Sequence, residues 1–249
     1  MNTLTFPTHE ELSQKVAELV FESIQKKLGE QGTFILGMAT GASPKRMYSV
    51  LVELLGSSKL DLSRLHTFNL DEYYPIKQSH PKSYFQEMYT RFWKPLHEKN
   101  PTFEIPNGHI LSGECGNPNL ECRIYEHMIK SLGGIDLQIL GLGTNGHIGF
   151  NEPGSPADSR THVIDLAIES REANKIYFDG DLDKVPAQGL TMGIETILEA
   201  KEVILMVTGN GKEDVFDKLT HLSSPTSKIP ASFLLNHPCA RIFTDIPKL

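Results

Sequence analysis

Apolar residues along this chain follow two periods that take turns. Leu12, Val16, Leu19, Val20 and Ile24 recur at helical spacing over 8–28, opened by a Thr8/Glu11 capping box and stopped at Gly29. Residues 33–39 are then apolar almost without interruption, the mark of a strand buried on both faces. The same exchange repeats downstream. Met47, Leu51, Leu54 and Leu55 predict a helix with Ser43 as N-cap and Pro44 as first helical residue. A strand over 65–70 precedes an aromatic-rich helix over 82–93, and 99–114 is irregular. Asn117 caps and Pro118 opens a helix to Leu132, ended by Gly133 and Gly134, before a strand over 136–140. Further strands are predicted over 160–166, 202–207 and 240–244. Helices are marked by Leu190, Ile194, Ile197 and Leu198, by Val215, Phe216 and Leu219, and by a short stretch at 230–235.

Strands alternating with helices predict an α/β fold: a doubly wound, mostly parallel sheet with helices on both faces. No repeat, low-complexity tract or linker interrupts the pattern, so 1–249 reads as a single domain. The polar, glycine-containing piece 178–182 adds a mobile lid over 160–185 to that expectation.

Charge narrows the partners. Net charge is −7, with 24 Lys and Arg against 31 Asp and Glu. That argues against nucleic acid as a partner; an anionic small substrate would need a local positive pocket. Three cysteines, an odd number without Cys-x-x-Cys spacing, argue against a disulfide framework or structural zinc and suit a reducing cytoplasm. No apolar run has the length of a membrane span, and the first residues lack the pattern of a signal peptide.

The candidate chemistry lies where strands end. After the strand over 136–140 comes Gly-Leu-Gly-Thr-Asn-Gly-His-Ile-Gly-Phe-Asn-Glu-Pro-Gly, residues 141–154, which holds His147 and Glu152 within one glycine-rich loop. A carboxylate near an imidazole orients the ring and raises its basicity; the pair also suits a merely structural turn. After 33–39, Thr40-Gly-Ala-Ser-Pro-Lys45 offers free backbone N–H groups, hydroxyls and a helix N-terminus, either an anion site or an ordinary capped helix. Asp71 and Glu72 follow the strand over 65–70, as a general base with raised pKa or as a solvated turn. Lys212 opens the helix after the strand ending at Val207, as an anion contact or a surface lysine. Gly141, Gly143 and Gly146 also spell a dinucleotide fingerprint, a weak one because no acidic residue closes a second apolar strand about 20 residues on.

Four stretches occur in one order: 40–44, Phe-Asn-Leu-Asp-Glu-Tyr at 68–73, Asn-Gly-His-Ile-Gly-Phe-Asn-Glu-Pro at 145–153, and Val-Thr-Gly-Asn-Gly-Lys at 207–212. Together they resemble the glucosamine-6-phosphate deaminase (isomerase) family over nearly the whole chain. Residues 207–212 and 229–234 look closer to its galactosamine-6-phosphate branch. The resemblance implies a Rossmann-like fold, no metal and no cofactor, a phosphorylated amino-sugar substrate, and a monomer or homo-oligomer. It implies Asp71 as the base that takes the C2 proton, and His147 as the residue that opens the sugar ring. Glu152 and Asn145 would orient it, with Thr40, Gly41, Ser43 and Lys212 at the phosphate. Where several members carry Asp, this chain has Asn145, which leaves the relay to His147 and Glu152. Where many have a phosphate-binding Arg, it has Ile176, so either Lys175 or Lys212 with Arg160 must serve. His162 and Ile164 stand where allosteric members carry basic residues, which implies no activation by N-acetylglucosamine 6-phosphate. The related 6-phosphogluconolactonases and non-catalytic sugar-phosphate sensors are the alternative readings of the same loops.

Overall fold

The computed structural model describes residues 1–168, 171–172 and 175–247. Its centre is a seven-stranded sheet in the order β1-β10-β9-β6-β2-β3-β5, with every neighbouring pair parallel. The strands are β1 (Asn2–Thr5), β2 (Phe34–Met38), β3 (Leu65–Asn69), β5 (Gly108–His109), β6 (Leu137–Gly141), β9 (Glu202–Val207) and β10 (Ala240–Thr244). β2 to β3 and on to β5 builds one half of the sheet. The chain then returns to β6, beside β2, and builds outward through β9 and β10. The reversal between β2 and β6 is the topological switch point, and crevices at the carboxyl ends of such strands are where open α/β sheets bind ligands.

Side chains alternate across each strand as a period of two requires. Ile35, Val203, Leu205 and Val207 point into a core with α5 (Pro118–Ser131), α6 (Ile194–Leu198) and α7 (Glu213–His221). Phe34, Leu36, Ile204 and Met206 point into the opposite core with α1 (His9–Gly29), α2 (Lys45–Ser57), α3 (Tyr84–Met88) and α4 (Lys94–Lys99). Burial on both faces explains why these strands read as continuous apolar runs.

Several boundaries differ from expectation. The turn after α1 uses Gln31, not Gly29, in the left-handed region (φ 60°). The helix expected over 82–93 is α3 followed by a π-helical turn, Tyr89–Trp93, that leads into α4. That turn seats the buried Trp93, whose Nε1 donates to Thr67 Oγ1 at 2.9 Å. Leu190 belongs to a strand, β8 (Gln188–Thr191), and only Ile194–Leu198 is helical.

A second sheet, absent from the expectation, has three antiparallel strands in the order β4-β8-β7. β4 (Asp71–Tyr74) and β7 (His162–Asp165) flank β8. Asp71 therefore opens a paired strand, opposite Thr191, and is not part of a solvated turn. Of the lid expected over 160–185, residues 169, 170, 173 and 174 lie outside the described residues. His162–Asp165 is ordered into the small sheet, and Phe178 is buried against Tyr73 with ring centroids 5.7 Å apart. No helix among the described residues is long and apolar enough to cross a membrane.

Candidate active site

The loops after β2, β6 and β9 leave the same edge of the sheet, because those strands are parallel neighbours. The loop after β2 turns at Gly41 with φ 90°, a conformation that L side chains rarely adopt. Its serine does something other than expected. Pro44 occupies the cap position of α2, and no side-chain bond caps that helix. The Ser43 hydroxyl, 5% exposed, instead accepts from Thr208 Oγ1 at 2.9 Å and from Lys212 Nζ at 3.2 Å. Thr208 directly follows β9 and Lys212 directly precedes α7, so two strand tips meet on one hydroxyl. Burial pushes the Lys212 ammonium pKa down, against the opposing pull of Asp245. An ammonium without full hydration at a loop of free N–H groups is suited to an anion.

Asp71 is 5% exposed, and its Oδ1 has no hydrogen-bond partner. Burial, then the charge of Glu72, pushes its pKa up to about 8, while the Thr40 hydroxyl bonds the carboxylate and opposes the rise. Thr40 thus serves the carboxylate and not the anion loop alone. Glu72 is also buried, but its oxygens accept backbone N–H groups from Tyr73 (2.8 Å), Tyr84 (2.9 Å) and Phe85 (2.9 Å). Glu72 is the clamp that joins β4 to the start of α3; Asp71, beside it, keeps an uncommitted oxygen.

The glycine-rich loop presents an ordered relay. Asn145 Nδ2 donates to Glu152 Oε2 at 2.6 Å, and Asn145 Oδ1 lies 2.7 Å from His147 Nδ1. The carboxylate accepts, which assigns the amide orientation; the amide oxygen then accepts, which puts the imidazole proton on Nδ1. Nε2 is left as a proton acceptor. The direct His147–Glu152 approach is longer, 3.7 Å. Asn145, expected with Glu152 to orient the ring, is thus interposed between them, and the link from Glu152 to His147 runs through its amide rather than directly. Burial lowers the His147 pKa, Glu152 opposes this, and Lys212 adds to it, so the ring is neutral near pH 7. The ring lies flat on Gly143: a β-carbon there would come within 2.2 Å of it.

Asp71 and this loop face each other. A β-carbon on Gly149 would stand 3.5 Å from Asp71 Oδ2 and 3.0 Å from Thr191 Oγ1. Thr191 Oγ1 also accepts the Phe150 N–H at 3.1 Å. Base candidate, imidazole and ammonium therefore gather at one end of the two sheets.

Two sequence candidates are placed elsewhere. Arg160 bonds Glu126 in a close contact, reaches Glu199 at 2.6 Å and lies 3.7 Å from Glu195. It ties α5 to α6, and three carboxylates occupy a guanidinium expected at the phosphate. Lys175 pairs with Glu172 at 2.5 Å in a short 3-10 turn, and no described contact takes it to Ser43 or Lys212. The sequence reading overlooked Thr208, although its place directly after a buried strand was a usable signal. It also overlooked the clamp made by Glu72, which needs the distant α3 to be visible. Among the described residues, no three His, Cys, Asp or Glu side chains converge on a common metal position.

The chain is 42% identical over 245 residues to the glucosamine-6-phosphate deaminase of Shouchella clausii, covering 98% of this chain and 95% of that protein. It is 41% identical over 240 residues to the enzyme of the same name from Lysinibacillus sphaericus, covering 96% of each. A solved structure of a monomeric glucosamine-6-phosphate deaminase matches with a TM-score of 0.90 at 37% identity, over 98% of this chain and 97% of that one. The 6-phosphogluconolactonase of Thermotoga maritima matches with a TM-score of 0.74 at 19% identity over 98% of each chain, a likeness of fold. The family model described as glucosamine-6-phosphate isomerases/6-phosphogluconolactonase matches residues 7–243, and this chain belongs to that family.

Proposed function

We propose that the protein is a glucosamine-6-phosphate deaminase, which converts the amino-sugar phosphate and water to the ketohexose 6-phosphate and ammonia. The observation that carries the chemistry is the buried, half-unpaired Asp71 carboxylate facing the His147 loop. The phosphate dianion is held by the Gly41–Ser43 backbone, the Ser43 hydroxyl and Lys212. Binding energy spent there fixes C1 and C2 of the sugar against Asp71. His147 Nε2 takes the C1 hydroxyl proton as the ring opens and supplies one to the ring oxygen; Asn145 and Glu152 hold the ring in the tautomer this requires. Asp71 then removes the C2 proton and returns it to C1, as a carboxylate can when it reaches two adjacent carbons. Water adds at C2 and ammonia leaves. The domain acts as one unit over 1–249, in the cytoplasm.

A lactonase reading would make Asp71 superfluous, since ester hydrolysis needs no carbon-bound proton removed. The test is ammonia release measured side by side on glucosamine 6-phosphate and galactosamine 6-phosphate. Release from glucosamine 6-phosphate is expected, and the ratio of kcat/KM on the two sugars tests the likeness of residues 207–212 and 229–234 to the galactosamine-6-phosphate branch. No ammonia from either, with hydrolysis of 6-phosphogluconolactone, would overturn the assignment.

A further inference from the structure

Ser43 stands where a helix cap belongs and does not act as one. It precedes Pro44 and the first turn of α2, where a serine hydroxyl ordinarily accepts the N–H three residues on, here that of Arg46. Its hydroxyl turns instead to Thr208 and Lys212. The backbone of the same residue is held from outside the loop. His9 Nε2 lies 3.0 Å from the Ser43 carbonyl oxygen. A carbonyl only accepts, so Nε2 carries the proton. The neutral Nε2–H tautomer and the imidazolium both donate, and the bond does not depend on the charge of the ring. The peptide it holds is Ser43–Pro44, which has an acceptor and no N–H, so hydrogen bonds fix its plane through that oxygen alone. His9 is itself well fixed. It is the first residue of α1, behind the Thr8 cap, whose Oγ1 accepts the Glu11 N–H at 3.2 Å. Its neighbour Glu10 takes the Arg46 guanidinium in a two-pronged contact at 2.6 to 2.9 Å. Two successive residues of α1 thus grip the chain on both sides of Pro44, and Leu12 and Val16 share a core with Met47 and Leu51 of α2 beneath them.

We infer that His9 is the positioning residue of Ser43: its bond to the carbonyl keeps residue 43 out of the α2 cap and its hydroxyl on Thr208 and Lys212. Released from His9, Ser43 turns to the Arg46 N–H. The helix then gains a cap, and Lys212 loses the oxygen that aims it. A side chain at residue 9 therefore decides the shape of a pocket built from residues 40–43 and 208–212. The effect falls on substrate binding and leaves Asp71 and His147, which stand on other loops, in place. That consequence rests on the reading of Ser43 and Lys212 as the substrate phosphate position, and the test separates the two.

The experiment compares crystal structures and ammonia-release kinetics of the full chain as wild type, His9→Leu, His9→Gln and Ser43→Ala. Leucine fills much of the imidazole's space without a donor, and the glutamine amide N–H reaches about where Nε2 does. In His9→Leu the Ser43 hydroxyl is expected on the Arg46 N–H, with KM for glucosamine 6-phosphate raised at least fivefold and kcat within twofold. His9→Gln should return both the serine and KM to the wild-type state. Added to Ser43→Ala, His9→Leu should raise KM by less than a further twofold, because no hydroxyl remains to be misplaced. A His9→Leu structure with Ser43 still on Thr208 and Lys212 overturns the inference, as does a raised KM that His9→Gln fails to restore. Ser43 displaced in His9→Leu, with KM unchanged there and in Ser43→Ala, keeps the hold of His9 on Ser43 and overturns the phosphate assignment of that serine.

Discussion

Replacing Asp71 by Asn separates the cost of a buried charge from its use. The carboxyl is almost fully buried, and its pKa is pushed from an ordinary 3.8 to about 8. That is about four powers of ten in proton affinity, or ~6 kcal/mol at ~1.4 kcal/mol for each. A folded-state pKa above the unfolded value means that folding favours the protonated acid. Stability is intact below pH ~4 and declines as pH rises towards 8, because the unfolded chain ionises freely and the folded one does not. At pH 7 the full penalty would be ~4 kcal/mol; relaxation and water entry reduce it to roughly half. The amide escapes that penalty but brings an N–H to the place of the unpaired Oδ1, at about 1 kcal/mol. Asp71→Asn is therefore expected to be more stable than wild type by ~1–3 kcal/mol at pH 7. Its advantage should widen between pH 6 and pH 8. Turnover should fall by about 10²–10⁴ while sugar-phosphate binding survives. Urea unfolding at pH 6, 7, 8 and 9, beside an ammonia-release assay, measures both. Parallel stability curves across that range, or a variant with near-normal turnover, would refute the reasoning.

Gly143→Ala should drive its methyl into the His147 ring and lower kcat at least tenfold while circular dichroism is unchanged; normal kcat would mean that the ring need not lie where it does. Lys212→Ala should raise KM for the phosphorylated sugar by about 10–100-fold, as loss of a charge-assisted bond of ~1.5–3 kcal/mol predicts, with a smaller effect on kcat. Arg160→Ala should leave KM alone and destabilise the fold by ~1–3 kcal/mol, because Glu126 loses its cation; a raised KM with unchanged stability would return Arg160 to the phosphate. In wild type, kcat/KM should rise with pH along a limb near 8, and this limb should be absent from any residual activity of Asp71→Asn.

The central sheet was legible because its strands are buried on both faces. Glu202–Val207 and Ala240–Thr244 have the bounds their apolar runs predict. The small sheet was not. Asp71–Tyr74 is too short and too polar to declare a strand, and its partners lie more than 110 residues away, at 188–191. Leu190 matched the helical spacing of Ile194 and Ile197 by coincidence, because an isolated apolar residue fits either period. In the site, His147, Asn145 and Glu152 are local, and one loop delivers them together. Arg160 was misread because its partners, Glu126 on α5, Glu195 on α6 and Glu199 at the end of α6, are distant in sequence, and one-dimensional spacing says nothing about which acid a guanidinium meets. Ser43 was misread for a similar reason: its position favours a cap, but Thr208 and Lys212 compete for the same oxygen.

The strand pairing around Thr191 sets which distances the molecule holds fixed. Asp71 and His162 both oppose Thr191, and the neighbouring Met192 carbonyl accepts the Asn151 side chain at 2.8 Å. The carboxylate and the imidazole loop are thus fastened to one bracket, whereas Ser43 and Lys212 hang from the tips of β2 and β9 in the large sheet. β3 runs into β4 through Leu70 alone, and Thr40 of the anion loop bonds Asp71, so the span from the phosphate position to the acid is held as firmly as the acid-to-ring spacing. Substrate length, read from phosphorus to C2, is consequently the quantity this architecture measures.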